Sequence, residues 1–227
     1  MSIVGSGTNS EGEIASALLR SRVYGFLRRV FTNEVDEAFL SWCRDQDQLG
    51  LWSELEFDFQ KILENADSEV VVDTLAVDFC RLFITSGAAG SPHESVQRAS
   101  PDELRLLWGD PTSAAKCLYR EAGFELEERA DLLPDSLGVE FEFMERLSQE
   151  EATARKKGRS AAAQRCRKLQ RRMLKEHLSR WVPDYGRKLS GAADTAFYRE
   201  MLRLAADFVE WDAREQFQPN ESDSREP

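Results

Sequence analysis

A chain of 227 residues, 41% apolar and 31% charged, is long enough for one substantial core or two small ones and has the balance of a soluble globular protein. Its longest apolar runs are a few residues, such as Val70-Val71-Val72, which excludes a membrane-spanning helix. The start, Met1-Ser2-Ile3-Val4-Gly5-Ser6-Gly7, has neither a basic nor an apolar signal region, so a cytoplasmic location is expected. The net charge of −11 is unevenly placed: residues 152–181 carry eleven basic side chains against one acid, a net of +10, which leaves −21 for the rest. A surface that acidic repels phosphate backbones and anionic lipid and attracts cationic peptides, so nucleic acid is not expected as a partner.

In chain order, residues 1–10 are small and polar and read as a frayed tail. Ser10 and Glu13 have the spacing of a capping box ahead of Ile14, Leu18, Tyr24 and Leu27, a helix ending near Val30. Helical spacing recurs over residues 34–44 (Val35, Phe39, Cys43), 49–64 (Trp52, Leu55, Phe59, Ile62) and 68–83 (Val71, Leu75, Phe79, Leu82). Residues 85–92 have two glycines and no apolar face; with the stretch up to about residue 100 they form a candidate hinge between N-terminal and C-terminal groups of helices. Ser100-Pro101-Asp102-Glu103 combines an N-cap, a proline at the first helical position and a glutamate at the third, opening a short helix that ends at Gly109.

A further helix over residues 112–123 is closed by Gly123. Val139, Phe143, Met144 and Leu147 open a long helix that Gly158 interrupts and that resumes through Ala161 to His177. The last helix begins near Asp194 and carries Phe197, Met201, Leu204, Ala205, Phe208 and Trp211 on one face. Residues 218–227 form a second tail. Nothing alternates with period two for the length of a strand, and no solenoid repeat recurs, so the fold class is all-α: one multi-helix domain over residues 11–217.

Catalytic patterns are absent: there is no G-x-S-x-G, Walker loop, G-x-G-x-x-G or H-E-x-x-H, and the only histidines are His93 and His177. His177, near a helix end, reads as packing or stabilising that end. His93 adjoins Glu94 and Ser95, but neighbours in a loop point in different directions and do not make a triad. On one helix Glu140 and Glu142 lie about 200° apart and cannot share a site, while Glu142 and Glu145 read as a solvated face. The cysteines, Cys43, Cys80, Cys117 and Cys166, stand singly and are expected to be buried reduced thiols; no metal and no cofactor are expected. The basic run reads as an ordinary helix whose cations are neutralised by acidic neighbours, with no aromatic among them before Trp181.

Two polar segments set among these helices, Ser91-Pro92-His93-Glu94-Ser95-Val96 and Leu133-Pro134-Asp135-Ser136-Leu137-Gly138-Val139-Glu140, are where function is sought. Asp135 has two readings. It is a good N-cap for the helix leading into Val139, a role worth about 1 kcal/mol and the one physics alone favours because capping needs no partner; the other is a carboxylate that would meet an arginine of a partner.

Together with Asp78-Phe79-Cys80-Arg81-Leu82-Phe83, these segments, in this order in an all-helical chain of this size, resemble the TorD/DmsD/NarJ family of redox-enzyme maturation chaperones over residues 14–212. The resemblance implies a cofactor-free cytoplasmic chaperone, not an enzyme. Its partners would be the twin-arginine leader and the apo-form of a molybdoenzyme catalytic subunit, held for molybdenum cofactor insertion before export. By motif position it implies a leader-binding surface of Phe79, Leu82 and Phe83, of Pro92, His93, Glu94 and Ser95, of Gly109, and of Pro134, Asp135 and Ser136. Ser136 stands where many members have a histidine, and His93 where some have an aromatic. A twin-arginine leader asks for carboxylates beside an apolar groove; Asp135 and Glu94 are expected to supply the first, and Leu82, Phe83 and Pro92 the second. A general helical scaffold and a nucleotide hydrolase are the rival readings, and monomer and helix-swapped dimer both stay open.

Overall fold

In a computed structural model of the protein, residues 7–45, 50, 68–100, 107–126 and 133–217 are described. Helix α1 (Gly7–Thr32) lies along α6 (Leu137–Lys156) in the most extensive helix contact among the described residues. Around this pair pack α2 (Glu37–Cys43), α3 (Ser68–Phe79), the one-turn α4 (Glu94–Gln97), α5 (Asp110–Ala122), α7 (Ser160–Glu176), α8 (Val182–Ser190) and α9 (Ala196–Phe217). Among the described residues there is no sheet strand, so the all-α expectation holds. No helix among them is long and apolar enough to cross a membrane.

The apolar faces read from the sequence meet in one core. Tyr24 of α1 packs on Phe141 of α6 at 5.7 Å between ring centroids and edge-on to Phe208 of α9 at 5.0 Å. Tyr119 of α5 packs on Phe143 at 4.8 Å. Gly123 ends α5 with φ of 76°, as its position past the last apolar residue predicts.

Four expectations are corrected. Helix α1 begins at Gly7, ahead of the expected capping box, and Glu13 pairs with Arg155 of α6. Helix α3 runs on through a π-helical turn, Cys80–Thr85. Only Cys43 and Cys166 are buried; Cys80 is half-buried and Cys117 exposed, all of them free. Helix α8 was not expected at all, although Pro183 and Gly186 both fit it. Pro183 lies in the first turn, where its missing N–H costs nothing. A Cβ at Gly186 would stand 2.5 Å from the Leu202 carbonyl oxygen, so glycine is what lets α8 press against α9. The helix expected over residues 49–64, most of the helix opening at Ser100, and the tail at 218–227 lie outside the described residues.

Asp78 joins α3 to the start of α9. Its Oδ2 accepts from the Thr195 backbone N–H at 2.8 Å and the Thr195 hydroxyl at 2.7 Å, and Thr195 Oγ1 accepts in turn from Tyr198 N–H at 3.3 Å. Burial pushes the Asp78 carboxyl up, but the bonds from Thr195, Arg81 and Asp194 outweigh it and hold the group below its ordinary value. A carboxyl with a depressed folded pKa contributes stability that is complete above its unfolded value, about pH 4, and lost as pH falls through the folded value. Asp78→Asn should therefore cost about 1–2 kcal/mol at pH 7. The difference from wild type in urea melts should shrink below about pH 4; a deficit independent of pH would contradict this role.

Candidate functional site

The two loops singled out in the sequence lie side by side. His93 and Ser136 form an isolated antiparallel bridge, flanked by Leu137 N–H donating to the Pro92 carbonyl and Glu94 N–H donating to the Asp135 carbonyl, each at 2.9 Å. Asp135 Oδ2 accepts from the Ser95 N–H at 2.9 Å across 40 residues of chain. Its expected role as N-cap of the helix leading into Val139 is thus corrected. Ser136 holds that position on α6 without a side-chain cap, and Asp135 caps α4 instead, because the bridge brings its carboxylate beside α4's free N–H groups.

Helix α5 closes a further side. Tyr119 donates to the Pro134 carbonyl at 2.7 Å, and a Cβ at Gly109, the residue before α5, would lie 3.3 Å from Ser95 Cβ. Pro92, His93, Glu94, Ser95, Gly109, Pro134, Asp135 and Ser136 are therefore one junction. Phe79, Leu82 and Phe83 are buried core: Phe83 packs on Phe79 at 5.0 Å and edge-on to Phe31 and Tyr198, both at 5.7 Å. Leu82 and Phe83 point into this core, whereas Phe79 also borders an open pocket with Val35, Val72 and Ala76.

The two expected carboxylates, Asp135 and Glu94, are both fully buried. Glu94 is fully buried, paired by Arg98 through Oε1 and lying 2.6 Å from His177 Nδ1 through Oε2. Glu140, the first-turn glutamate of α6, is fully buried as well and accepts from Trp181 Nε1–H at 3.1 Å. Burial, and then the neighbouring charge of Glu94, pushes the Glu140 carboxyl well above the usual carboxylate range. His93 is half-buried, with Nδ1 3.0 Å from Ser91 Oγ, and burial, opposed by the Asp135 charge, lowers its pKa, so its imidazole is neutral at pH 7.

Beside Gly109 stand two exposed apolar side chains, Leu107 and Trp108, with 49% and 62% of their surface accessible. Trp108 has φ of 72°, and among the described residues it is the one non-glycine in the left-handed region. A bulky residue there is strained by about 1–2 kcal/mol, and such strain concentrates where chains meet ligands. The sequence reading passed over Trp108, gave Trp181 no role, and weighed Glu140 and His177 without placing either in a site. Their one visible signal was an aromatic before a loop glycine and another after a helix end; the pairing of Glu140 with Glu94 is not local and leaves no spacing to read.

Comparison with known proteins agrees with the resemblance to the TorD/DmsD/NarJ chaperones. The chain is 25% identical over 139 residues to the chaperone protein TorD of Shewanella sp. (strain MR-4), covering 57% of this chain and 66% of that protein. It is 28% identical over 141 residues to the perchlorate reductase assembly chaperone protein of Dechloromonas aromatica (strain RCB), covering 59% of each. The chain thus spans less than two thirds of the length of either relative. A family model described as nitrate reductase delta subunit matches residues 48–185, more than half of the sequence, and the chain belongs to that family.

Proposed function

We propose that the protein is an assembly chaperone that binds the twin-arginine leader and apo-form of a molybdoenzyme catalytic subunit in the cytoplasm and holds it for cofactor insertion before export. The observation that carries this reading is the union of the two motif loops, which puts Pro92 and a neutral His93 at the surface above Asp135 and next to Gly109. A neutral imidazole adds no positive charge to repel guanidinium groups, and the acidic remainder of the chain speeds encounter with a cationic peptide. The apolar stretch of a leader meets Leu107 and Trp108, aromatic anchors being the commonest source of binding energy at such surfaces. Family membership and the named chaperone relatives support the same role. The chain's own part is positioning and shielding, without covalent chemistry.

The test is fluorescence anisotropy with a labelled twin-arginine leader peptide. Trp108→Gly removes the indole and relieves the left-handed strain together, so it should weaken binding by roughly tenfold or more while leaving the melting temperature unchanged or raised. Replacing both leader arginines by glutamine should weaken binding by about tenfold, since it removes the positive charge that the acidic surface attracts. Equal affinity for a scrambled peptide of the same charge would favour the general scaffold instead.

A further inference from the structure

Inside the junction, three side chains of metal-ligating type converge from three segments of the chain. Glu94 comes from the first turn of α4, Glu140 from the first turn of α6 and His177 from the end of α7. One ligand atom from each lies within 4.8 Å of the others. The two carboxylates are fully buried and the imidazole is 2% exposed.

The pattern of outer contacts is that of a prepared ligand set. Each carboxylate has one oxygen held by an N–H donor: Arg98 on Glu94 Oε1, and Trp181 on Glu140 Oε2 at 3.1 Å. What is left over is Glu94 Oε2, facing His177 Nδ1, Glu140 Oε1, which has no N–H donor and shares a hydrogen bond with Glu94 when one of the two is protonated, and His177 Nε2, which is buried without a partner. Metal-binding carboxylates are commonly steadied in this way, one oxygen by a neighbouring donor and the other on the ion. Two buried carboxylates this close cannot both stay ionised on their own, and a cation between the three groups offsets their repulsion in place of a shared proton.

The donor set selects the ion. Two carboxylate oxygens and one imidazole nitrogen suit a borderline divalent cation, whereas calcium and magnesium ask for six or more oxygens or an octahedron of them. No thiolate is included to favour a softer ion. Zinc ligands at about 2.0–2.1 Å in a tetrahedron stand roughly 3.3 Å apart. The 2.6 Å contact between His177 and Glu94 therefore needs to open by less than about 1 Å.

We infer that Glu94, Glu140 and His177 form a zinc site that pins α4, α6 and α7 together beneath the two motif loops. The ion leaves the chemistry of the loops untouched and fixes their position, because its ligands come from the same turns that carry Ser95 and Ser136. This inference stands on the cluster's own geometry and does not depend on the leader-binding reading.

The full chain, purified with a tag free of histidine, stripped with chelator and dialysed against Zn2+, should hold one zinc per chain by mass spectrometric metal analysis and melt at a higher temperature than the stripped protein. Substituted with Co2+, it should show the intense visible absorption of a four-coordinate ion. Glu140→Gln keeps an acceptor for Trp181 but loses the charged ligand, and together with His177→Gln it should lower zinc uptake at least about tenfold with unchanged helical circular dichroism. The cobalt spectrum of the unaltered chain is the independent arm, since it does not depend on either variant folding. Zinc uptake well below one equivalent by the unaltered chain, a six-coordinate cobalt spectrum, or full uptake by the folded Glu140→Gln protein would each overturn the site and leave a proton shared between the two glutamates.

Discussion

Arg20→Met should destabilise the protein by about 3–5 kcal/mol, with a deficit that grows as pH rises. Arg20 is 3% exposed and donates through Nη2 to Glu151 Oε2 at 2.8 Å, through Nη1 to Ser16 Oγ at 2.9 Å and through Nε to Gln170 Oε1 at 3.3 Å, with Asp212 Oδ1 3.8 Å away. The two acids are fully buried. Removing the arginine leaves Glu151 with Arg155 and Gln170, but leaves Asp212 with only Tyr24 and Gln216, and an uncompensated buried charge is among the costliest defects a core can carry. Burial already raises the Asp212 carboxyl above its ordinary value, with Arg20 the chief opposing influence. In the variant that value rises further. An acid whose folded pKa is raised destabilises as pH climbs from its unfolded value, about 4, through the folded one, so the deficit should be smallest in acid and largest at neutral pH. Urea melts at pH 5 and 8 check it; a pH-independent loss under about 1 kcal/mol would mean the network is solvated.

Phe83→Ala should cost about 3–5 kcal/mol, the usual range for emptying a buried phenylalanine site. Its ring lies against Phe31 of α1, Phe79 of α3 and Tyr198 of α9, so three helices would border the cavity. None of them can close in without disturbing the others, which places the loss in the upper part of that range. Thermal melting measures it. A loss below about 1 kcal/mol would mean the ring faces an open groove and would return Phe83 to the leader-binding surface.

The helices were legible where one apolar stripe dominated. The faces of α1, α6 and α9 each carry apolar residues at helical spacing, and Tyr24 and Phe208, read on two of those faces, meet in the core. Helix α8 was not legible, because a proline and a glycine within nine residues look like punctuation until the close approach of Leu202 explains the glycine. At the junction the loops stood out, since polar segments between apolar helices have no core role, but their internal wiring did not. Asp135 caps a helix 40 residues away and Glu140 meets Glu94 from another element. Capping and pairing rules read from sequence are local, and these bonds are made by the tertiary fold. The same blindness hid the Arg20 network, whose members Glu151, Gln170, Asp212 and Gln216 all read as ordinary polar positions on helix surfaces.

The most direct measurement of the chaperone role is recovery of the tagged protein from its own anaerobically grown cells, with mass spectrometry of what accompanies it. The account predicts one molybdoenzyme catalytic subunit carrying its twin-arginine leader uncleaved, depleted when the bait is Trp108→Gly. Recovery without any such subunit, from cells in which one is being made, would contradict it and leave the family membership as a statement about fold alone.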